Sequence, residues 1–366
     1  MSNGVLYVGD NLEVLRLFFS DLVDLIYLDP PFNTGRKFIS ADGAKSGSFN
    51  DVWNWSMIPQ DWSDQLRSDW PDLYQLVDLS GRTHSQAMSS FLCFMAVRLI
   101  ELHRVLKPTG SIFLHCDPTA SHYLKAIMDR IFGSSNFRNE LIWPRIRGGG
   151  KILSPKSKSW GRSTDSILFY SKSSDLYINP YRELRDQDEI LVRFPKIDEN
   201  GERYNLGTSL FCRPTHKSAP HRCFTWKGHT SPHPSGWMLS KERLEEEFDK
   251  GNIVIRPDGK LERRKYLRDY KGVAVNNLWD DILPASGKEK TGYPTQKPLA
   301  LLDRILRAAC PEGGIVLDPF AGSGTTLVAA ERLGYKWIGI DQNEITSELI
   351  KARLPEGAGK FQVIVL

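Results

Sequence analysis

Gly314-Ile315-Val316-Leu317-Asp318-Pro319-Phe320-Ala321-Gly322-Ser323-Gly324-Thr325-Thr326 is the stretch that decides the fold. It opens as a short apolar run of buried-strand length, passes through a glycine-rich turn, and leads into the helical spacing of Ser323 to Leu333. Gly322 and Gly324 permit close backbone approach to a ligand, and the helix start aims its N–H groups at the same place. A phosphate-binding loop needs a lysine after Gly324, and a dinucleotide fingerprint needs a third glycine where Leu327 stands, so both nucleotide readings weaken. A zwitterionic amino-acid tail, such as the methionine part of S-adenosylmethionine, fits an acidic strand end better. The next strand, Trp337 to Asp341, ends in a second acid about 20 residues beyond the turn, placed to accept ribose hydroxyls or to cap a helix starting near Asn343.

Working outward, the N-terminal third alternates in the same way. Strands are expected at Val5 to Val8, Leu25 to Asp29 and Ser111 to His115, with helices from Asn11 to Phe19 and from Ser85 to Leu106. Leu92, Met95, Leu99 and Leu102 give the longer helix a core-facing stripe, and Lys107-Pro108-Thr109-Gly110 stops it. After Trp279-Asp280-Asp281 the α/β pattern resumes, with an amphipathic helix over Lys297 to Cys310. Two α/β halves flanking a different insert predict one doubly wound sheet assembled from both ends of the chain, with halves at 1–144 and 275–366 and an insert at 145–274. From Asn33 to Ser80 periodicity collapses into a polar stretch bearing Trp53, Trp55, Trp62 and Trp70, read as irregular: either an active-site loop or an excursion with buried tryptophans.

Asp29-Pro30-Pro31-Phe32 closes the strand Asp24 to Leu28. Two prolines fix φ and remove two donors, so this turn offers acceptors only, a seat for an –NH2 group. Conjugation makes the amino group of an aromatic base a poor nucleophile; accepting hydrogen bonds from both of its protons frees the lone pair. Phe32 can stack on the base, which must first be flipped out of a duplex. Taken alone, the same four residues also suit a plain structural turn.

The composition, 366 residues that are 40% hydrophobic and 25% charged, suits a globular protein with ample core. No run reaches the roughly 18 apolar residues of a membrane span, and the first residues lack a signal-peptide pattern, so a cytoplasmic location is expected. Five scattered cysteines suggest neither disulfides nor zinc, and Cys212, His216, His221, Cys223, His229 and His233 match no common ligand spacing, so no metal is expected. The net charge of +4 is unevenly placed: Arg145 to Lys271 has 26 Lys and Arg against 17 Asp and Glu, the remainder 22 against 27. A basic insert of +9 in an acidic body of −5 fits a polyanion partner or a solvated surface. Arg263-Arg264-Lys265 and Arg268, interleaved with Tyr266 and Tyr270, read as a phosphate-contacting face, and Arg145, Arg147 and Lys151 open the insert.

Together, Asp29 to Phe32, Asp318 to Thr326 and the link Thr295-Gln296-Lys297-Pro298 resemble the amino-group DNA methyltransferases of the β class. In that class the catalytic motif precedes the recognition domain and the cofactor motif comes last, and the resemblance covers nearly the whole chain. It implies a seven-stranded, Rossmann-like sheet, S-adenosylmethionine as cofactor, and double-stranded DNA as partner. Homodimers and a cognate restriction enzyme are further partners known for the class. Asp29 and the Pro30 carbonyl would hold the amine, with Pro31 stiffening the turn and Phe32 stacking where the family more often has tyrosine. Phe320, Gly322 and Gly324 would line the methionine part, Asp341 the ribose and Gly9-Asp10 the adenine, with Asp318 and Thr325 also at the cofactor and Lys297 facing either the cofactor or, as a lysine at a helix start, solvent. His115 and Asp117 are expected either as core or cap residues or at the pocket, and Trp143 either as packing or in contact with the base. Aspartate rather than serine at position 29 points to adenine N6 over cytosine N4.

Overall fold

A computed structural model describes residues 3–33, 35–39, 48–146, 158, 160–179, 182–183, 187–214, 216–354 and 361–366. The central sheet has eight strands: β1 (Gly4–Val8), β2 (Val23–Leu28), β3 (Leu106–Cys116), β4 (Phe137–Pro144), β5 (Thr164–Ser171), β6 (Ile315–Asp318), β7 (Lys336–Asp341) and β8 (Gln362–Val365). Their order is β8-β1-β7-β6-β2-β3-β5-β4. N-terminal and C-terminal strands therefore interleave: β7 pairs parallel to β1 with Asp341 opposite Val8, and β6 pairs parallel to β2 with Leu317 opposite Ile26. Of these eight strands, β5 alone runs opposite to the rest. All six residues of β2 are buried, as a central parallel strand covered on both faces requires. An eighth strand stands where seven were expected, because β8 pairs along β1 and covers what would otherwise be an open edge.

The helix Gln86–Val105 packs Phe91, Leu92, Met95, Leu99 and Leu102 into the main core, and Ser85 caps it by accepting the Met88 amide at 3.1 Å. Among the described residues of the stretch expected to be irregular, the second half is helical, with helices at Gln60–Asp69 and Pro71–Thr83, and residues 34 and 40–47 lie outside the described residues. Leu66, Leu73 and Val77 are buried on those helices, and Trp53, Trp55, Trp62 and Trp70 all pack against the core. Widely spaced apolar residues on a mostly polar helix were too weak a periodic signal to read.

The sheet also reaches past the expected boundary at 144. Asp165 to Ser171 of β5 are buried between β3 and β4, so the second compact unit is Tyr181–Val275 rather than everything from 145 onward. That unit has its own four-stranded antiparallel sheet, in the order Ile253–Ile255, Leu261–Tyr266, Arg203–Leu206, Lys196–Ile197, and a helix at Lys241–Asp249. Leu210, Trp226, Trp237, Leu244 and Ile253 form its core.

Candidate active site

Four adjacent parallel strands, β1, β7, β6 and β2, each run into an acidic residue at the same edge of the sheet: Asp10, Asp341, Asp318 and Asp29. Strand carboxyl ends are where open α/β sheets bind ligands. All four acids line one cavity of about 860 Å3. Pro30, Pro31, Phe32, Gly9, Phe320, Gly322, Thr325 and Lys297 line it too, so the residues expected from both ends of the sequence meet there. Gly324 lies in the turn just behind.

The Asp29 carboxylate is divided. Oδ2 pairs with the ammonium of Lys297, whereas Oδ1 is buried without a hydrogen-bond partner among the described residues. Behind it, the Tyr27 hydroxyl lies 3.0 Å from Nδ1 of the fully buried His115, whose Nε2 lies 3.2 Å from Asp165 Oδ2. Phe32 stacks on the His115 ring at 5.8 Å and 19°, and Trp143 meets the same ring edge-on. Burial lifts the Tyr27 hydroxyl well above its ordinary range, and the nearby carboxylates of Asp29, Asp318 and Asp165 add to this, so Tyr27 stays protonated. For Asp165 burial pushes upward, but the His115 hydrogen bond and the charges of His115, Lys297 and Arg145 outweigh it and leave the carboxyl below its ordinary value. Asp117 accepts the amides of Thr119 and Ala120, a local cap as expected, and Trp143 donates to the Ile282 carbonyl at 3.0 Å.

In the glycine turn, Gly322 and Gly324 have φ of 50° and 74°. A Cβ at Gly324 would fall 2.3 Å from Ile350 Cγ1, and one at Gly322 3.1 Å from the Tyr293 ring, so both space and conformation call for glycine. Asp341 accepts the Gly322 amide at 2.6 Å on one oxygen and the Asn343 amide at 2.8 Å on the other. The helix itself begins only at Ile345, with Glu344 at its N-cap and no side-chain cap, so Asp341 holds the turn before the helix rather than capping it, and the same carboxylate braces the glycine turn while lining the cavity. Burial raises Asp341, against the lowering effect of those amides. Asp318 is pushed up to about 7, chiefly by burial and further by Asp29 and Asp341, against the hydrogen bonds from Thr326 and the Phe320 amide.

At the β1 end, Asp10 caps the helix Asn11–Arg16 and pairs with Arg98 at 2.9 Å. Arg98 is buried, donates to Asn11 Oδ1 at 2.6 Å and lies 3.5 Å from the Phe94 ring centre. Burial lowers it to about 10, with Asp10 opposing. Arg98, a cation in the apolar middle of the helix Gln86–Val105, was not legible in the sequence, because its meaning depends on Asp10 across the fold.

The residues expected to touch DNA divide. Arg145 pairs with Asp165 Oδ1 at 3.2 Å, without hydrogen-bond geometry, while Arg147 and Lys151 lie outside the described residues. In the second unit Arg264 is tied to Glu262 at 2.9 Å and lies over Tyr204, and Arg268 pairs with Glu202 over Tyr266. Arg263 and Lys265, on the other face of the strand, have no ion pair among the described residues. Strand alternation splits what read as one basic face.

A doubly wound sheet with acidic strand ends, a glycine turn and an acceptor-only proline turn around one cavity is the architecture of a Rossmann-like methyltransferase. The chain belongs to the family of N6- and N4-directed enzymes described as DNA methylase, whose family model matches residues 23–352. It is 28% identical over 365 residues to the type II methyltransferase M.EcaI of Enterobacter cloacae, across 98% of this chain and 70% of that protein. It is 30% identical over 353 residues to the Mod subunit of the type III restriction-modification enzyme StyLTI of Salmonella typhimurium (strain LT2), across 91% of this chain but 50% of that protein, and so spans half its length. Among solved structures, PvuII DNA methyltransferase, described as cytosine-N4-specific, is similar at a TM-score of 0.44 and 15% identity, covering 99% of this chain and 95% of that one.

Proposed function

We propose that the protein is an S-adenosylmethionine-dependent, site-specific DNA methyltransferase acting on the N6 amino group of a flipped adenine in double-stranded DNA. The observation that carries this reading is Asp29 Oδ1, a buried acceptor without a hydrogen-bond partner among the described residues, at the edge of a cavity also bounded by Asp318 and Asp341. The cavity fits the cofactor: carboxylates suit a cationic ligand, and the glycine turn leaves open the backbone approach that side chains would fill. When bound, S-adenosylmethionine supplies a methyl group on a positively charged sulfur.

The chain's own residues do the rest. Asp29 Oδ1 and the Pro30 carbonyl accept the two amino hydrogens, draw the nitrogen out of conjugation and expose its lone pair. The exposed lone pair is thereby turned toward the cavity where the cofactor's methyl group would be supplied. The surplus proton leaves the nitrogen for the Asp29 carboxylate and then solvent. Phe32, backed by His115, supplies the ring on which the base stacks. Phenylalanine keeps this face and dispenses with a hydroxyl.

Aspartate at position 29 favours adenine; cytosine N4 is the second reading, since the same seat accepts either amine. Nucleoside analysis of DNA incubated with protein and labelled cofactor separates them, with label expected in N6-methyladenine. Label in N4-methylcytosine would replace the first reading by the second. A modification role beside a restriction enzyme, with DNA contacts from the second unit, completes the proposal.

A further inference from the structure

We propose that Lys297 is a positioning residue for the transfer step: it holds Asp29 as a fixed anion through Oδ2, so that Oδ1 alone is presented to the target amine. This rests on the reading above and adds a partner to Lys297, which from the sequence alone could face either the cofactor or solvent and which lines the cavity.

Three observations converge on the pair. Both side chains are largely withdrawn from water, with relative exposures of 8% for Lys297 and 18% for Asp29, and a buried ammonium or carboxylate of this kind is retained only with a partner. The ammonium has one further hydrogen bond, to the Thr295 carbonyl at 3.3 Å, and lies 5.4 Å from the centre of the Phe32 ring. It therefore touches both working parts of the Asp29 to Phe32 turn, the acceptor and the stacking ring.

The backbone around Lys297 is built to hold it there. Thr295 has φ of 60°, the left-handed region that a β-branched residue adopts only under constraint. Gln296 accepts from the Thr291 amide at 2.8 Å and donates to the Glu289 carbonyl at 2.7 Å, and the Glu289 carboxylate accepts the Leu299 amide at 2.6 Å. The residues on both sides of Lys297 are thus clamped to one another, and the lysine stem leaves this clamp toward Asp29.

The charge balance gives the pair its purpose. Asp29 shares its surroundings with Tyr27 on its own strand, Cys116 at the end of β3, Tyr293 before the Thr295 turn and Asp318 at the end of β6, each of which is driven toward its protonated form in part by the Asp29 charge. Protonated, Tyr27, Cys116 and Tyr293 bring no positive charge to Asp29, and Lys297 is the cation paired to it. A protonated Asp29 would turn one oxygen into a donor and lose the seat for the amine.

The test compares wild type with K297M, K297R and the charge-neutral double variant D29N/K297M, after thermal melts have established which are folded. Four readouts are needed: the S-adenosylmethionine dissociation constant by calorimetry, single-turnover methylation of an unmodified duplex carrying a sequence that the wild type methylates, its pH profile, and fluorescence of a 2-aminopurine duplex that reports flipping. K297M is expected to change cofactor affinity less than about threefold, slow methylation by about 100-fold or more, and move the acid limb of the profile up by about 1 to 3 pH units. K297R, which retains the charge, is expected to keep the wild-type acid limb. Should K297M fail to fold, D29N/K297M is expected to fold and bind cofactor, and K297R alone then carries the pH comparison. Cofactor affinity falling in proportion to the rate, or an unmoved acid limb in K297M, would overturn the assignment. If wild type itself transfers no methyl group to DNA, the functional reading fails, whereas transfer by wild type with normal rates in K297M fails only this inference.

Discussion

Asp341 accepts the Gly322 amide at 2.6 Å, so the acid ending β7 fastens the glycine turn that follows β6. One carboxylate thereby sets the shape of the cavity floor as well as its charge. Asp341→Ala should release the Gly322 and Asn343 amides together, at about 2 to 3 kcal/mol for two charge-assisted hydrogen bonds. Urea denaturation of the ligand-free protein measures this, and a change below about 0.5 kcal/mol would show that the turn holds itself.

Gly324→Ala should be worse than a typical surface change. The new methyl falls 2.3 Å from Ile350 Cγ1 and the backbone sits at φ 74°, so overpacking and left-handed strain add to about 3 kcal/mol. Adding Ile350→Ala relieves the contact and leaves the backbone strain. A double-mutant cycle by denaturation should therefore recover part of the loss and not all of it.

Asp318 links pH to both stability and binding. Its folded value of about 7 lies above the unfolded value of about 3.9, so the folded state keeps a proton that the unfolded state has lost. This contribution is fully present below about pH 4, declines as pH rises through about 7, and is absent above. Melting temperatures of the ligand-free wild type should drop across that window relative to Asp318→Asn, which lacks the group. Binding of the cationic cofactor favours the ionised form, so its affinity should rise with pH and level off above about 7, with proton release detectable by calorimetry in buffers of different ionisation enthalpy.

Arg98→Met should leave Asp10 facing the cavity without its cation, at a cost of about 3 kcal/mol, because Arg98 is buried and bridges Asp10, Asn11 and the Phe94 carbonyl. Denaturation curves of Arg98→Met and of the double variant with Asp10→Asn test this, the second being expected to be less destabilised than the first.

In the second unit, Arg263→Ala and Lys265→Ala should weaken DNA binding and lower its salt dependence, each by about one phosphate contact. Arg264→Ala should instead lower the stability of that unit, since its guanidinium is spent on Glu262 and Tyr204. Fluorescence anisotropy at several salt concentrations, beside thermal melts, separates the two outcomes.

The sheet and the cavity were legible because each rests on local signals: an apolar run, a terminal acid and a turn with glycine or proline. Asp29, Asp318 and Asp341 could each be placed at a strand end without knowing the others. Pairings across the fold were not legible. Arg98 with Asp10, His115 with Tyr27 and Asp165, and Lys297 with Asp29 join residues far apart in sequence, and no spacing rule relates them. The same limit explains Thr164–Ser171, whose place in the main sheet depends on pairing with Leu106–Cys116 rather than on its own composition. Arg264 misled for a third reason: a basic run in a strand faces two ways, and only the partners show which side is already satisfied.

The most direct test of the central claim is to combine Asp29→Asn with labelled S-adenosylmethionine and double-stranded DNA, following transfer and cofactor binding in the same preparation. Asparagine keeps the size of the side chain and removes the anionic acceptor. Transfer should fall by about 100-fold or more while cofactor still binds. Undiminished transfer by the variant would contradict the role given to Asp29.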